Sequence, residues 1–450
     1  MRALLVLVLF LAAAAHGQPL TFGSADDPLE RGSAFRPADA FRAEVLAGPA
    51  YLPDTWRGAV RAAAEAQRGR WSLGVGGTVH PGAGGLYGPE ADEPYDALRL
   101  LQYARLNPTP ASRLYLRAGP VERVSLGSGA LVRSYRSSAA WDERGVGAEG
   151  AVRGRAVHAA AFADDVRLNG VIGGEVGVAT GFGIGPVVGL GLTLGAVHDL
   201  GLPGATGDSS LTGVEATLRG TAAVLGPATV SPFVTHARYL GHGSAVGAGL
   251  DVGSGNVGDV LRAGARLALF ASTRDFVPGH VGPFYGINNA AERIVDDGTF
   301  FDAAPGADLV GTPLDSLGAG VDLVLDLRLV TFGRLELSQH VRRHIGPDPA
   351  SAYGLRVAGR LPEGGRVEFA LERRGFRGLF DLIGSLGDQN LLLLDVAVPV
   401  GRRGFVFVRS RYGYRQLTED DGFAAAPGEP ARYLVERRFE PLVGLRLVAD

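Results

Sequence analysis

A set of charged side chains stands out by its spacing: Arg262, Arg266, Asp322, Asp326, Arg328, Arg356, Arg360, Glu368, Glu372, Arg409 and Arg411. They lie in stretches where apolar and non-apolar residues alternate. In "LGAGVDLVLDLRLV", Leu317, Ala319, Val321, Leu323, Leu325, Leu327 and Leu329 take every second place, and Asp322, Asp326 and Arg328 fall between them. Charges of both signs on one face can do one of two things. Around a wide aqueous lumen they bias which ions and solutes pass. In a narrow one, arginines pair with the carboxylates, Asp395 among them, and seal it.

Other residue types with chemical potential are weaker candidates. His340 and His344 in "HVRRH" share a strand face with Arg342, but a metal site needs at least one further ligand and none is evident, so lumen-facing residues are the better reading. Ser128 in "LGSGA" and Ser244 in "GHGSA" are the suggestive serines for a lipid-acting hydrolase. Neither stands in a G-x-S-x-G elbow. Glycine-rich runs at 181–185 and 189–195 look like phosphate loops, yet such loops need a following helix N-terminus, and strand patterns follow here. No cofactor motif is readable. Cysteine is absent, which removes disulfides, thiolate metal sites and a cysteine nucleophile.

The elements that must position these charges are strands. Successive side chains of a strand point to opposite faces, so each alternating stretch is apolar on one side and polar or small on the other. In "GDVLRAGARLALFASTRDF", Leu261, Ala263, Ala265, Leu267, Leu269 and Ala271 oppose Arg262, Gly264 and Arg266. In "RVEFALERR", Val367, Phe369 and Leu371 oppose Glu368 and Glu372, and "TGVEATLRGTAAVL" sets Glu215, Thr217 and Arg219 against Val214, Ala216 and Leu218. Such segments of about 9 to 15 residues recur from Arg70 onward, the length of a tilted bilayer-spanning strand. Glycine, 68 of 450 residues, disfavours helices. Slipping residues 317–330 by one place would turn Asp322, Asp326 and Arg328 into lipid, at about 2–4 kcal/mol for an arginine at the midplane. Connectors toward the C-terminus alternate between tight and long, the longest running from Phe276 to Pro313. Aromatics near segment ends (Tyr135, Tyr239, Phe276, Tyr353, Tyr412, Tyr414, Tyr433) are expected at the membrane interfaces.

The first residues, "MRALLVLVLFLAAAAHGQPL", read as a secretory signal over 1–17, with Arg2 before a short apolar core. Residues 18–68 are charged, alanine-rich and weakly patterned, and read as a short periplasmic or plug-like segment with a helix over Ala59 to Gln67. The barrel then occupies 69–450. The formal net charge of −3 gives no basic excess, so no nucleic-acid partner is expected.

Residues 95–138 carry a more specific pattern: Tyr115, Arg117 and Gly119, then Leu126, Gly127, Gly129 and Tyr135. This resembles a family of porin-like outer-membrane barrel proteins of the Bacteroidetes and Rhodothermia groups, with Ser125 in place of the usual threonine and Ser137 in place of asparagine. Residues 276–294 resemble a degraded form of that family's later loop. The resemblance implies a barrel and brings no catalytic residues.

The expected fold is all-β: a transmembrane antiparallel up-and-down barrel of about 16–18 strands in a bacterial outer membrane. Expected partners are outer-membrane lipid, lipopolysaccharide and the barrel assembly machinery. Three functions fit: a porin-like passive channel for small hydrophilic solutes, a barrel plugged by residues 18–68 or the 276–313 loop, or an enzyme acting on lipid. The first is the expectation carried forward, without enzyme activity.

Overall fold

In the computed structural model, residues 41–52, 55–87, 94–107, 113–121, 124–137, 145–168, 170–180, 187–200, 210–224, 228–254, 261–273, 276, 278–282, 284–285, 291–294, 300–301, 318–329, 335–345, 352–360, 365–374, 390–401, 403–416 and 431–449 are described. The alternating segments become strands joined edge to edge in chain order. They are β1 (Phe41–Leu52), β2 (Thr55–Arg68), β3 (Trp71–Val79), β4 (Leu101–Leu106), β5 (Leu114–Gly119), β6 (Gly147–Arg153), β7 (Val157–Ala163), β8 (Val171–Thr180), β9 (Val187–Asp199) and β10 (Leu211–Val224). The second half comprises β11 (Ala228–Tyr239), β12 (Ser244–Ser254), β13 (Leu261–Ser272), β14 (Gly318–Leu329), β15 (Leu335–Ile345), β16 (Ala352–Arg360), β17 (Arg366–Arg374), β18 (Asn390–Val400), β19 (Gly404–Gln416) and β20 (Ala431–Ala449).

Every neighbouring pair is antiparallel, and β20 pairs back onto β1, with Phe41 opposite Ala449 and Val45 opposite Leu445. The sheet therefore closes and has no edge to shield. Two short strands of the long connection, Ala291–Ile294 and Phe300–Phe301, attach beside the start of β20.

The ring has 20 strands, above the expected 16–18, and the reason is residues 41–68. Expected outside the barrel, they form β1 and β2. The alanine run expected as a helix over Ala59 to Gln67 lies within β2, where pairing to both β1 and β3 outweighs the helix preference of alanine. The signal expected over 1–17, and 18–40, lie outside the described residues.

Outward positions are apolar and exposed: Val45 on β1, Val60 on β2, Leu73 on β3, Leu194 on β9, Leu269 on β13, Leu445 on β20. Aromatic side chains mark both ends of this band. Tyr51 and Trp56 pack edge to face at one end, ring centroids 5.5 Å apart, and Phe41 and Trp71 are exposed at the other. Connections at the Phe41 end are short, such as 69–70, 154–156 and 401–403; those at the other end include 80–100, 120–146 and 273–317.

Candidate functional site: two infolded segments in the lumen

Three of the long connections turn back into the barrel. Segment 124–137, from the β5–β6 connection, closes on itself through paired backbone bonds between Val124 and Tyr135. It is joined by 278–285 from the β13–β14 connection: the Arg133 amide donates to the Val281 carbonyl at 2.9 Å, and the Gly279 amide to that of Ala130 at 2.6 Å. Together they make the first infold. The second is a small hairpin at 80–87, closed by the Tyr87 amide on the His80 carbonyl at 3.1 Å.

The first infold rests on β7 to β13. Leu126, Leu131, Val132, Tyr135, Phe276, Val281 and Tyr285 form a buried apolar cluster with Phe162, Val197, Phe233, Tyr239 and Phe270 of the wall. Beneath it, two inward carboxylates catch its backbone. Glu175 of β8 accepts the Gly127 amide at 2.6 Å; Glu215 of β10 accepts the Ser128 amide at 2.5 Å and that of Leu131 at 3.4 Å. Gly127 and Gly129 have φ of +54° and +79°. This left-handed backbone, open to glycine at no steric cost, presents the Gly127 amide to Glu175 and the Ser128 and Leu131 amides to Glu215. Thr217 and Thr235 complete the nest, Thr217 Oγ1 donating to Glu215 at 2.8 Å. Arg266 of β13 donates to the Ser128 carbonyl at 2.9 Å and to Asp251 at 2.6 Å, and Arg219 pairs with the same Asp251.

At the loop end, tyrosines latch the infold to aspartates. Tyr135 donates to Asp164 at 2.5 Å and Tyr285 to Asp199 at 2.8 Å. Tyr95, before a short helix over Asp96–Arg99, donates to Asp165 at 3.1 Å. Burial raises the Asp164 carboxyl to about 6, against the opposing pull of the Tyr135 hydrogen bond, and Asp199 and Asp165 push the same way as burial. Burial likewise drives the Tyr135 hydroxyl well above its ordinary value. The residues carrying the family resemblance build this region: Tyr115 donates to Glu149 at 2.8 Å, Arg117 to the Pro120 carbonyl at 2.5 Å, and Gly119 takes a φ of +138°.

The second infold meets the opposite wall. His80 Nε2 lies 3.3 Å from Glu440 of β20, and Tyr87 donates to Glu436 at 3.3 Å. Around it runs a lattice of ion pairs. Arg409 faces Asp395 at 3.2 Å and Glu440 at 3.8 Å, Arg438 bonds Glu436 at 2.7 Å, and Arg446 reaches Glu44 of β1 at 3.3 Å. Phe284 of the first infold packs with Leu391 and Tyr414, so contact reaches this side as well.

Of the charges singled out by spacing, the five whose side chains are described lie on these two walls. Arg266 belongs to the first. Arg409, Arg411, Glu368 and Glu372 belong to the second, with Glu368 and Glu372 buried. Arg262, Asp322, Asp326, Arg328, Arg356 and Arg360 lie in β13, β14 and β16, and their side chains fall outside the described residues. Backbone register nevertheless puts Asp322 opposite Ala268 and Val324 opposite Arg266. These are lumen-face positions, because Ala268 and Arg266 are buried while Leu267 and Leu269 are exposed. Register also sets Arg356 opposite Ala370 and Arg262 opposite Arg328. His340 and His344 are strand residues of β15 whose side chains are likewise undescribed.

The expectation for the aromatics needs correction. Tyr135, Tyr239 and Phe276 are buried with the infold, whereas Tyr412 and Tyr414, also buried, alternate with lumen-side Arg409 and Arg411 and share the face of exposed Val406. Position at a strand end does not tell which face a ring takes, and the infold offers an apolar lining inside. Ser128 is buried and its hydroxyl donates to Thr235 at 3.2 Å. Among the described residues no group of histidines and carboxylates is arranged to hold a metal.

An even-numbered, edgeless antiparallel ring with an apolar outer band, aromatic margins, and long loops at one end is a bilayer-spanning barrel of the outer-membrane class. No family model matches the chain, and no curated protein does. Several solved outer-membrane structures align with the chain. The ferric enterobactin receptor PfeA of Pseudomonas aeruginosa is 9% identical over 92% of this chain and 81% of that one, with a TM-score of 0.37. Wzi, an outer membrane protein involved in group 1 capsule assembly in Escherichia coli and a carbohydrate-binding β-barrel, is 12% identical over 93% and 86%, at 0.36. The outer membrane protein OpdK of Pseudomonas aeruginosa is 11% identical over 91% and 99%, at 0.28. At such identities and scores these likenesses carry no statement about this chain's role.

Proposed function

We propose that the barrel is a passive channel for small hydrophilic solutes, narrowed from its loop end by the first infold. The observation that carries this reading lies beneath the infold. Inward-facing Arg219, Asp251 and His158 keep 20%, 18% and 33% of their side chains exposed, so water reaches the wall there. Barrels of 16–18 strands already enclose an aqueous channel. At about 4.8 Å between strands and about 40° tilt, 20 strands give a ring roughly 40 Å across. An infold anchored on β7 to β13 narrows such a ring from one side. A solute would pass beside it, along walls whose arginines and carboxylates bias charge, without an energy source.

The second reading is a plugged barrel, favoured by the reach of Phe284 to Leu391 and Tyr414. Ion conductance of the detergent-purified chain in a planar bilayer separates the two. Discrete, reproducible steps are expected, with conductance raised severalfold when residues 124–134 are replaced by a short Gly-Ser linker. Silent insertion of the parent, with steps appearing only in the linker variant, would establish the plug instead. With steps in hand, Arg262→Glu and Asp322→Arg test selectivity by reversal potential.

A further inference from the structure

Among the described side chains, the outward positions of β8 to β13 are apolar, small or hydroxylated, with three exceptions: His198 on β9, and His236 and Arg238 on β11. Their direction is fixed by their neighbours. Phe233, Thr235, Ala237 and Tyr239 are buried against the infold, while Val234, His236 and Arg238 alternate with them and are exposed. On β9, Val197 and Asp199 are buried inward and His198 faces out. All three lie at the loop end: Arg238 is next to the last residue of β11, and His198 next to the last of β9.

Among the described residues no acid shares this face. The described carboxylates on these strands nearest to them, Asp199 and Glu215, point inward to Tyr285 and to the infold. His198 is oriented by Thr212 of β10, Nδ1 to Oγ1 2.9 Å. Register places Arg238 beside Val214 and Val214 beside Ala196, so Arg238 and His198 lie two strands and one residue pair apart, on the order of 12 Å. Level with His236 in register lies exposed Leu194, and below, toward the membrane centre, run further exposed apolar side chains, Leu218 and Val234 among them. A cation on the outer wall of a barrel is costly at the midplane, and the cost falls to about 0–1 kcal/mol at the interface. There it meets lipid headgroups.

We infer that His198, His236 and Arg238 form a docking site on the outer wall for the phosphorylated headgroup of an outer-leaflet lipid, whose acyl chains lie along the apolar ridge below. The site faces away from the lumen. It rests on the outer-membrane placement and is independent of whether the lumen conducts.

The test is native mass spectrometry of the detergent-solubilised barrel, offered either lipid A carrying its phosphates or the same lipid with the phosphates removed. Retention of the phosphorylated form is expected on the order of tenfold above the other. Arg238→Ala with His236→Ala is expected to abolish that preference while heat-modifiable migration on gels stays that of a folded barrel. Arg238→Ala alone serves if the double variant does not fold, and is expected to reduce the preference. Equal retention of both lipids, a preference untouched in folded variants, or displacement of the lipid by millimolar inorganic phosphate would overturn the assignment.

Discussion

The two infolds reach opposite walls of one lumen and are held by different physics. The first is a small packed structure: an apolar cluster above, backbone amides on Glu175 and Glu215 below, tyrosine latches at the rim. The second is a four-strand-wide reach by one histidine and one tyrosine to a wall that its own ion pairs already hold together. The first wall thus uses charge to hold a loop, and the second uses charge to hold neighbouring strands. Removing a charge should therefore undock a segment on one side and loosen the barrel on the other.

The largest effect is expected on the second wall. Asp395→Ala leaves Arg409 buried without its bidentate partner, at about 3–5 kcal/mol. It should lower the urea midpoint of the folded barrel on gels while amide exchange in 124–137 stays at the parent rate. Glu215→Ala is the converse. It strips acceptors from the Ser128 and Leu131 amides, about 2–4 kcal/mol in total, so exchange at 127–131 should accelerate with little change in the barrel's midpoint. Equal effects of both variants on both readouts would erase the distinction between the walls.

Acidity sharpens the comparison at the rim. The folded Asp164 carboxyl, at about 6, lies above its ordinary value of 3.8, so the native state holds the proton more tightly than the opened one. Its contribution is fully present below about pH 4 and is lost as pH rises through 6, at most about 3 kcal/mol. Exchange at 131–137, corrected for intrinsic rates, should be slower at pH 5 than at pH 7.5, and Asp164→Asn should flatten that dependence. The smallest effect expected is Gly127→Ala, about 1–2 kcal/mol from a left-handed backbone and a Cβ driven toward Glu215, read as a modest rise in exchange at 127–131.

Much of the ring was legible because alternation is local. The stretch 317–330 reads as one apolar and one charged face, and β14 has the register that this requires. Residues 55–68 hid because alanine suits helices and carries little contrast between faces; only Arg57, Arg61 and Glu65 betray the period. Glu215 and Arg219 were readable as inward, but their partners were not, since a loop that folds back has no periodicity to announce it. Glu175 stands alone in "GGEVGV", a single charge among glycines, and that isolation is the one signal that could have marked it.

Closure has a further consequence for how the chain is threaded. Because Phe41 sits opposite Ala449, strand order is cyclic, and the place where the polypeptide begins is a convention of the chain rather than of the ring. Joining Ala449 to Phe41 and cutting in the tight turn at 401–403 would give the same circle of neighbours from a different start. Such a permuted chain is expected to migrate as a folded barrel, whereas a cut within 124–137 would break the infold and leave the circle whole.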